Sequence, residues 1–318
     1  MSTGALGSQV EAVALERDGA LAVGLEQRLP LDLSVSIPSI ERLYEDSKAD
    51  RWDPEVDVDW VALGAAVSDP AVRAAAASVW SHRAWVEFNG IPESEAALVR
   101  ICIERRREAD AKFFLASRGR EQALIAEASV LAADAFGSYQ ASPPEAYLPI
   151  LRDGVARRAL DARVSIDAFL IAHFAVSGSI DLAVWLAARD HATVAAARVL
   201  VDAIVANKQR QVAFGWAYAS VVGDRLDDQT RATIDKNLVD VVCEELSGKR
   251  SAALTSGDAF AEVRAAHELA STAGVGVAPN REVVARVRTA LAETARRLRR
   301  WDLGAPLESI ANELESAG

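Results

Sequence analysis

The stretch of sequence that decides the fold is residues 207–216, NKQRQVAFGW. It begins with five polar residues and continues with an apolar, aromatic run. It lies within a longer segment, about 192–222, in which apolar residues recur every three and four positions, as they do on one face of a helix. Lys208 and Gln211 stand three positions apart, so we predict that both side chains lie on one face of that helix.

The same spacing runs along most of the chain. Its 318 residues include only 18 glycines and 10 prolines, and they contain no convincing run of alternating β-branched residues. The sequence therefore predicts an all-α protein. Besides a short helix at about 39–52, we predict helices at about 70–89, 92–108, 110–136, 144–158, 165–189 and 192–222, with three or four more after residue 226.

The chain is predicted to have three parts. Two pairs of long helices, separated by ASPPEAY at residues 141–147, follow the plan of a four-helix bundle with one long connection. We assign residues 61–225 to this bundle and residues 226–318 to C-terminal helices packed on it. Residues 1–60 form an N-terminal arm and a short helix. Within the arm, LPLDLSVSIP at residues 29–38 is predicted to be extended and to wrap around a partner.

Charge and composition exclude several classes of function. The net charge of -11 argues against a nucleic-acid partner, since phosphate binding needs a basic face. No apolar run reaches about 18 residues without a charge, so we predict no membrane span. The two cysteines form no CxxC motif, and the N-terminus has no signal pattern, so a cytoplasmic location is predicted.

The segment LYEDSKADRWDPEVDVDW at residues 43–60 carries a family resemblance. It resembles the lead-in to the bundle of bacterial ferritin-like oxygenases of the ribonucleotide-reductase-like superfamily, on Tyr44, Trp52, Asp59 and Trp60. The resemblance continues to about Val222 and implies a ferritin-like four-helix bundle. In that superfamily each half of the bundle supplies one lone Glu and one Glu-x-x-His, which together hold two metal ions, usually iron.

The second-half motif of the family is Asp-Glu-x-Arg-His, followed by an apolar run with Phe-Gly. In this chain Arg210 and Phe214 match that frame, but the ligand positions do not match. The Glu is replaced by Lys208 and the His by Gln211. Because an ammonium repels a metal cation, the resemblance implies a degenerate metal site here.

The first-half motif is lost in a similar way. Residues 120–124 read REQAL, so Glu121 survives while Leu124 stands in the histidine position. None of the four histidines in the chain has a Glu three positions before it. The positions that correspond to family ligands are therefore Glu93 or Glu95, Glu121, Leu124, Ser177 with Asp181 beside it, Lys208 and Gln211.

These losses lead to the main hypothesis about function. We expect a noncatalytic ferritin-like protein without a cofactor, which acts as a scaffolding subunit in a complex with an intact diiron oxygenase subunit, or as a homo-oligomer. In place of metal, Glu121 and Lys208 are predicted to form an ion pair across the bundle axis. Asn207 and Gln211 would complete its hydrogen bonds.

Three alternatives remain open from the sequence. One is an oxidoreductase with an unorthodox iron site made of Glu93 or Glu95, Glu121 and Asp181. Another is a metal-free enzyme in which Lys208 acts as a base or an amine nucleophile. The last is a self-associating structural helical protein. An enzyme should have an open pocket that reaches both Glu121 and Lys208.

Overall fold

A computed structural model describes residues 37–104, 109–152, 159–161 and 164–316, so the predicted extended arm lies outside the described residues. Every regular element in these ranges is helical, which confirms the all-α prediction. The helices are α1 (Pro38–Ala49), α2 (Pro54–Asp57), α3 (Trp60–Ala65), α4 (Pro70–Glu104), α5 (Ala109–Phe136), α6 (Leu148–Arg152), α7 (Ile166–Leu170), α8 (Gly178–Asp190), α9 (Ala195–Val222), α10 (Asp228–Glu244), α11 (Ala261–Ala270), α12 (Asn280–Leu298) and α13 (Ala305–Ser316).

Four long helical segments build the bundle: α4, α5, α7 with α8, and α9. A π-helical segment, Ile171–Ser177, joins α7 to α8 without a break in the helix. It packs closely on α9 at Gly215, where an added Cβ atom would meet the Phe174 carbonyl carbon at 2.3 Å. Gly215 is therefore needed for the close approach of two bundle helices.

Helix α4 differs from the prediction, because it runs unbroken through Asn89-Gly90 and Pro92. The Pro92 nitrogen has no hydrogen to donate to the carbonyl four residues earlier, at Phe88. Phe88 lies on the solvent side of α4, where water can bind its carbonyl. The cost of the proline is therefore lowered, and packing along α5 keeps the helix continuous.

The segment predicted as a helix at 144–158 is only partly helical. It begins with a short 3₁₀ turn, Glu145–Tyr147, and α6 follows it. Residues 153–158 lie outside the described ranges. The DPEVDVDW connector, residues 53–60, also differs from the prediction, because it contains the short helix α2 and ends at the first residue of α3. Asp53 and Asp59 cap them by accepting backbone hydrogen bonds.

The core is apolar around two aromatic centres. Near one end of the bundle, the rings of Trp80 and Trp185 lie 6.0 Å apart, and the Arg83 guanidinium covers both at 4.3 and 4.5 Å. Near the other end, Phe114 stacks on Phe214 at 4.7 Å. The tryptophans Trp80 and Trp185 are thus core residues.

The helices after Val222 pack against the bundle. The Arg297 guanidinium of α12 lies 3.8 Å from the Trp216 ring of α9, and Trp301 Nε1 donates to Asp224 at 3.0 Å. The division of the chain into three parts stays a prediction.

One described segment, Ile166–Asp190, is long and apolar enough to cross a membrane by length and composition alone. However, 72% of its most apolar window is buried inside the protein. It packs against α9 and α12, as the core helix of a bundle does.

Two described histidines are buried, His82 on the bundle helix α4 and His267 on α11. His82 stacks on Tyr147 at 4.6 Å, and burial lowers its pKa to about 3. His267 is hydrogen-bonded to Ser251 and Asn280, and burial lowers its pKa to about 4. Both rings are therefore neutral at pH 7, and their protonation opposes folding.

We predict that acid destabilises the protein partly through His82. Between pH 6.5 and about 3 the unfolded chain binds a proton at this ring and the folded chain does not, so the free energy of unfolding falls with falling pH. His82→Phe keeps an aromatic ring and removes this proton. We compare the free energy of unfolding in urea at pH 7, 6 and 5. Relative to the wild type, that of the variant should rise by about 1.4 kcal/mol for each pH unit below 6.5. A difference that does not change with pH would contradict the prediction.

Candidate functional site

The Lys208 ammonium lies in the centre of the bundle between two carboxylates. Its Nζ atom is 2.8 and 2.7 Å from the two carboxylate oxygens of Glu87, on α4. It is also 2.7 Å from Oδ2 of Asp181, on α8. The side chains of Lys208 and Glu87 are only 1% and 2% exposed. One buried cation therefore joins three of the bundle's helices.

This arrangement satisfies the hydrogen-bonding capacity of the ammonium. A lysine has three N–H donors, and here three carboxylate oxygens lie within hydrogen-bonding distance of Nζ. Burial alone would raise the pKa of Asp181, but Lys208 and Arg250 outweigh burial and hold the pKa below its usual range. Gln122 donates a further hydrogen bond to Glu87. Each buried charge thus has a partner, which a dry core requires.

A second group of charges extends the network towards the C-terminal helices. Arg250 lies 2.7 Å from a Glu245 carboxylate oxygen and 3.8 Å from Asp181. Burial favours the neutral form of Glu245, but Arg250 and Lys249 outweigh burial and lower its pKa. Ser177, in the π-helical segment, donates to Glu245 at 2.7 Å. The segment after α10 is thereby tied to the bundle core.

A third group lies on another side of α9. Arg210 contacts Glu121 at 2.9 Å and Asp50, just after α1, at 2.6 Å. Asn207 accepts a hydrogen bond from the same guanidinium at 2.8 Å. Burial raises the pKa of Glu121, although Arg210 and Arg118 partly offset it. This group joins the lead-in helix to α5 and α9.

The predicted ion pair between Glu121 and Lys208 is therefore wrong in its partners. Both residues are buried and paired, but Glu121 binds Arg210, and Lys208 binds Glu87 and Asp181. The physical reason is helix geometry. Lys208 and Arg210 are two positions apart, so their side chains point about 200° apart around α9 and meet different neighbours.

The remaining predicted positions lie around this centre rather than in it. Glu93 contacts Lys249 at 3.2 Å, and the side chain of Glu95 is exposed. Leu124 packs against the part of the core that contains Trp80 and Trp185. Gln211 is buried, and its amide nitrogen has no hydrogen-bond partner among the described residues. Of the eight predicted positions, the structure brings only Asp181 and Lys208 together in one ion pair.

Sequence reasoning missed Glu87 and Arg250. A signal for Glu87 existed, because it stands seven positions after the buried Trp80 and so lies on nearly the same helix face. The family motif was instead sought at Glu93 and Glu95, after the apparent helix break. Arg250 follows a tight turn at Gly248, whose φ is 101°, and no helical spacing predicts where it points.

A small polar cavity lies beside the network. It has a volume of about 40 Å³, which is room for a few water molecules. Arg118 lines it, and the Nε and Nη1 atoms of that guanidinium have no partner among the described residues. Burial lowers the pKa of Arg118 to about 10. Glu121 instead lines a separate surface pocket beside α1.

The comparisons with known proteins identify the fold. Neither a protein-family model nor a curated protein matches this sequence. Solved structures do match, and they are ferritin-like helical bundles of the R2-like class. An R2-like ligand-binding oxidase with an aerobically reconstituted metal cofactor after photoconversion superposes with a TM-score of 0.56 at 15% identity. The match covers 79% of this chain and 91% of that one.

Two further structures of an R2-like ligand-binding oxidase match the same fold. A single-residue variant with an anaerobically reconstituted Mn/Fe cofactor has a TM-score of 0.57 at 14% identity, over 82% of this chain and 92% of that one. A long-soaked form with an aerobically reconstituted Mn/Fe cofactor has a TM-score of 0.54 at 16% identity, over 79% and 91%. The chain has the fold of these oxidases, which confirms the predicted all-α ferritin-like bundle.

The neighbours also correct the prediction about cofactors. We expected none, whereas the solved structures with this fold carry Mn/Fe cofactors, so the comparison points to a metal rather than to none. The residues seen here do not fit that group. No cluster of three or more His, Cys, Asp or Glu side chains that could hold a metal occurs in the described ranges. Where Glu87 and Asp181 converge, the Lys208 ammonium lies between them.

We predict that Lys208→Met lowers the free energy of unfolding by about 3–5 kcal/mol, because it removes the cation that both buried carboxylates contact and leaves Asp181 with only the more distant Arg250. Adding Glu87→Gln and Asp181→Asn should recover part of the loss, since neutral groups cost less to bury. Urea unfolding of the single and triple variants tests this. Lys48→Met, at an exposed pair with Glu45, is the control and should change nothing measurable. Equal midpoints for wild type and Lys208→Met would contradict the prediction.

Proposed function

We propose that this chain is a noncatalytic, structural member of the R2-like fold, and that it supports a second ferritin-like chain in a complex. The observation that carries the proposal is the Lys208 centre. Its ammonium joins α4, α8 and α9 through Glu87 and Asp181, at the heart of the bundle. In this position the lysine holds the helices together.

The chemistry of the site supports a structural role over a lysine enzyme. An amine nucleophile or base needs a free lone pair, but the Lys208 nitrogen lies within hydrogen-bonding distance of three carboxylate oxygens. The cavity beside it has room for a few water molecules, which is small for an organic substrate. The larger surface pocket that Glu121 lines is bounded by α1 and α5.

Exposed apolar side chains support an interface with another chain. Phe88 is 68% exposed and Val99 is 46% exposed, and they stand 11 positions apart, which places both on one face of α4. Phe113, near the start of α5, is 43% exposed. We propose that the face of α4 shared by Phe88 and Val99 is part of a contact surface. We propose as its partner a ferritin-like chain with intact Glu-x-x-His motifs, in the cytoplasm.

A second candidate function is a ferritin-like oxidoreductase, and one observation favours it. The solved neighbours are oxidases with Mn/Fe cofactors, and in this chain Glu87 and Asp181 converge on a single point. Two carboxylates from facing helices are part of what a metal would need there. A metal at that point would require Lys208 to leave it.

We predict that the purified chain, reconstituted with manganese and iron, consumes no dioxygen above the buffer rate. Elemental analysis and an oxygen electrode give the two readouts. Lys208→Gln, which removes the positive charge, is measured beside it and should behave in the same way, since the other described groups do not form a metal cluster. Stoichiometric metal together with dioxygen consumption by the wild type would overturn the structural proposal and favour the oxidoreductase.

The proposed partner can be tested by co-expression. The chain is co-expressed with a candidate ferritin-like protein that carries intact Glu-x-x-His motifs, and the pair is measured by light scattering. We expect a complex of fixed stoichiometry, which Phe88→Ser with Val99→Ser weakens while the fold is kept. Exposed Val199→Ser, on α9, is the matched control. A homo-oligomer that the same substitutions weaken would replace the proposed partner with a second copy of this chain.

A further inference from the structure

A further cavity lies among the C-terminal helices, and none of the charged residues of the core network lines it. It has a volume of about 480 Å³, within the range of small-molecule sites. Helices α12 and α13 form one side of it, and the segment after α10, residues 246–256, forms the other. The proposed structural role of the bundle does not use this cavity.

The walls of the cavity are mainly apolar. Leu254 is buried, while Leu246, Val284 and Leu314 are partly buried and pack against the main core of the protein. The wall formed by residues 246–256 is held in shape by a tight turn at Gly248, where an added Cβ atom would meet the Thr255 side chain at 2.1 Å. A pocket with a fixed apolar wall suits an aliphatic or aromatic group.

Positive charge lies at the same cavity. Arg281 and Arg288 line it and are seven positions apart on α12, so they share a helix face with Val284 between them. Arg281 is exposed, and it forms no ion pair within the described part of the chain. The local positive charge of this pocket favours an anionic ligand, although the chain as a whole has a net charge of -11.

Other arginines of α12 have partners within the fold, unlike Arg281. Arg286 contacts Asp190, and Arg296 contacts Glu293 at 3.5 Å. Arg297 lies over the Trp216 ring. These arginines hold α12 in the fold, whereas the Arg281 guanidinium lies at the cavity with its donors available to a ligand.

From these observations we infer that the cavity between α12, α13 and residues 246–256 binds an amphipathic monoanion. Its apolar part contacts Leu246, Leu254 and Val284, and its carboxylate or sulfonate accepts hydrogen bonds from Arg281. A neutral molecule of the same shape gains only the apolar contacts. An anion without an apolar part gains only the charge contacts.

Calorimetric titration of the full chain tests the inference, with octanoate, 1-octanol and acetate as probes. We expect octanoate to bind at one site per chain and the other two to bind at least about tenfold more weakly, since a charge-assisted hydrogen bond is lost in one case and apolar burial in the other. Equal affinities for octanoate and 1-octanol would overturn the assignment of an anion. Binding of anionic vesicles without binding of free octanoate would overturn the assignment of a free ligand.

Three variants locate the site. Arg281→Gln should weaken octanoate about tenfold and leave 1-octanol unchanged. Ala285→Phe places a ring in the cavity from an exposed position, so it should abolish binding while circular dichroism shows the fold intact. Arg286→Gln, on the same helix but paired with Asp190, should bind as the wild type does. Unchanged binding in Ala285→Phe, or equal losses in Arg281→Gln and Arg286→Gln, would overturn the proposed site.

Discussion

The ion pair of Lys208 with Glu87 and Asp181 is the interaction on which the rest of the bundle depends. A carboxylate that leaves water for a dry core is very costly unless a cation and hydrogen bonds replace its hydration. Glu87 and Asp181 come from different helices, so the cation that neutralises them must lie between those helices. Lys208 supplies it from α9, and this fixes the rotation of α9 relative to α4 and α8.

The same requirement explains how the C-terminal part is joined to the bundle. Arg250 follows α10, yet its guanidinium contacts Asp181 as well as Glu245. Ser177 donates to the same Glu245 from the π-helical segment. The segment between α10 and α11 therefore completes the electrostatics of the core. Unfolding of the C-terminal helices would expose these charges, so the two regions should unfold together.

Much of the fold could be predicted from the sequence, and the partners in the site could not. The long helices follow from apolar spacing, and the bundle follows from the lead-in residues Tyr44, Trp52 and Trp60. A sequence motif orders ligand positions along one helix, but it does not say which residue of a facing helix meets them. A helix break was inferred just before Pro92, so α4 was predicted as two helices. For that reason Glu87 was not predicted to lie at the centre. Arg250 follows a turn, and a turn has no residue periodicity from which the direction of its side chains could be predicted.

The solved neighbours carry Mn/Fe cofactors on a similar fold, whereas in this chain the Lys208 ammonium lies between Glu87 and Asp181. A fold fixes where helices face one another, and the side chains at that place decide the chemistry. Carboxylates that converge in a bundle core need positive charge, and either a metal ion or an ammonium can neutralise them. An ammonium on a lysine is covalently attached to α9 and brings no open coordination position for a ligand. On this physical argument, a lysine at position 208 preserves the packing of the bundle whether or not oxidase chemistry is present.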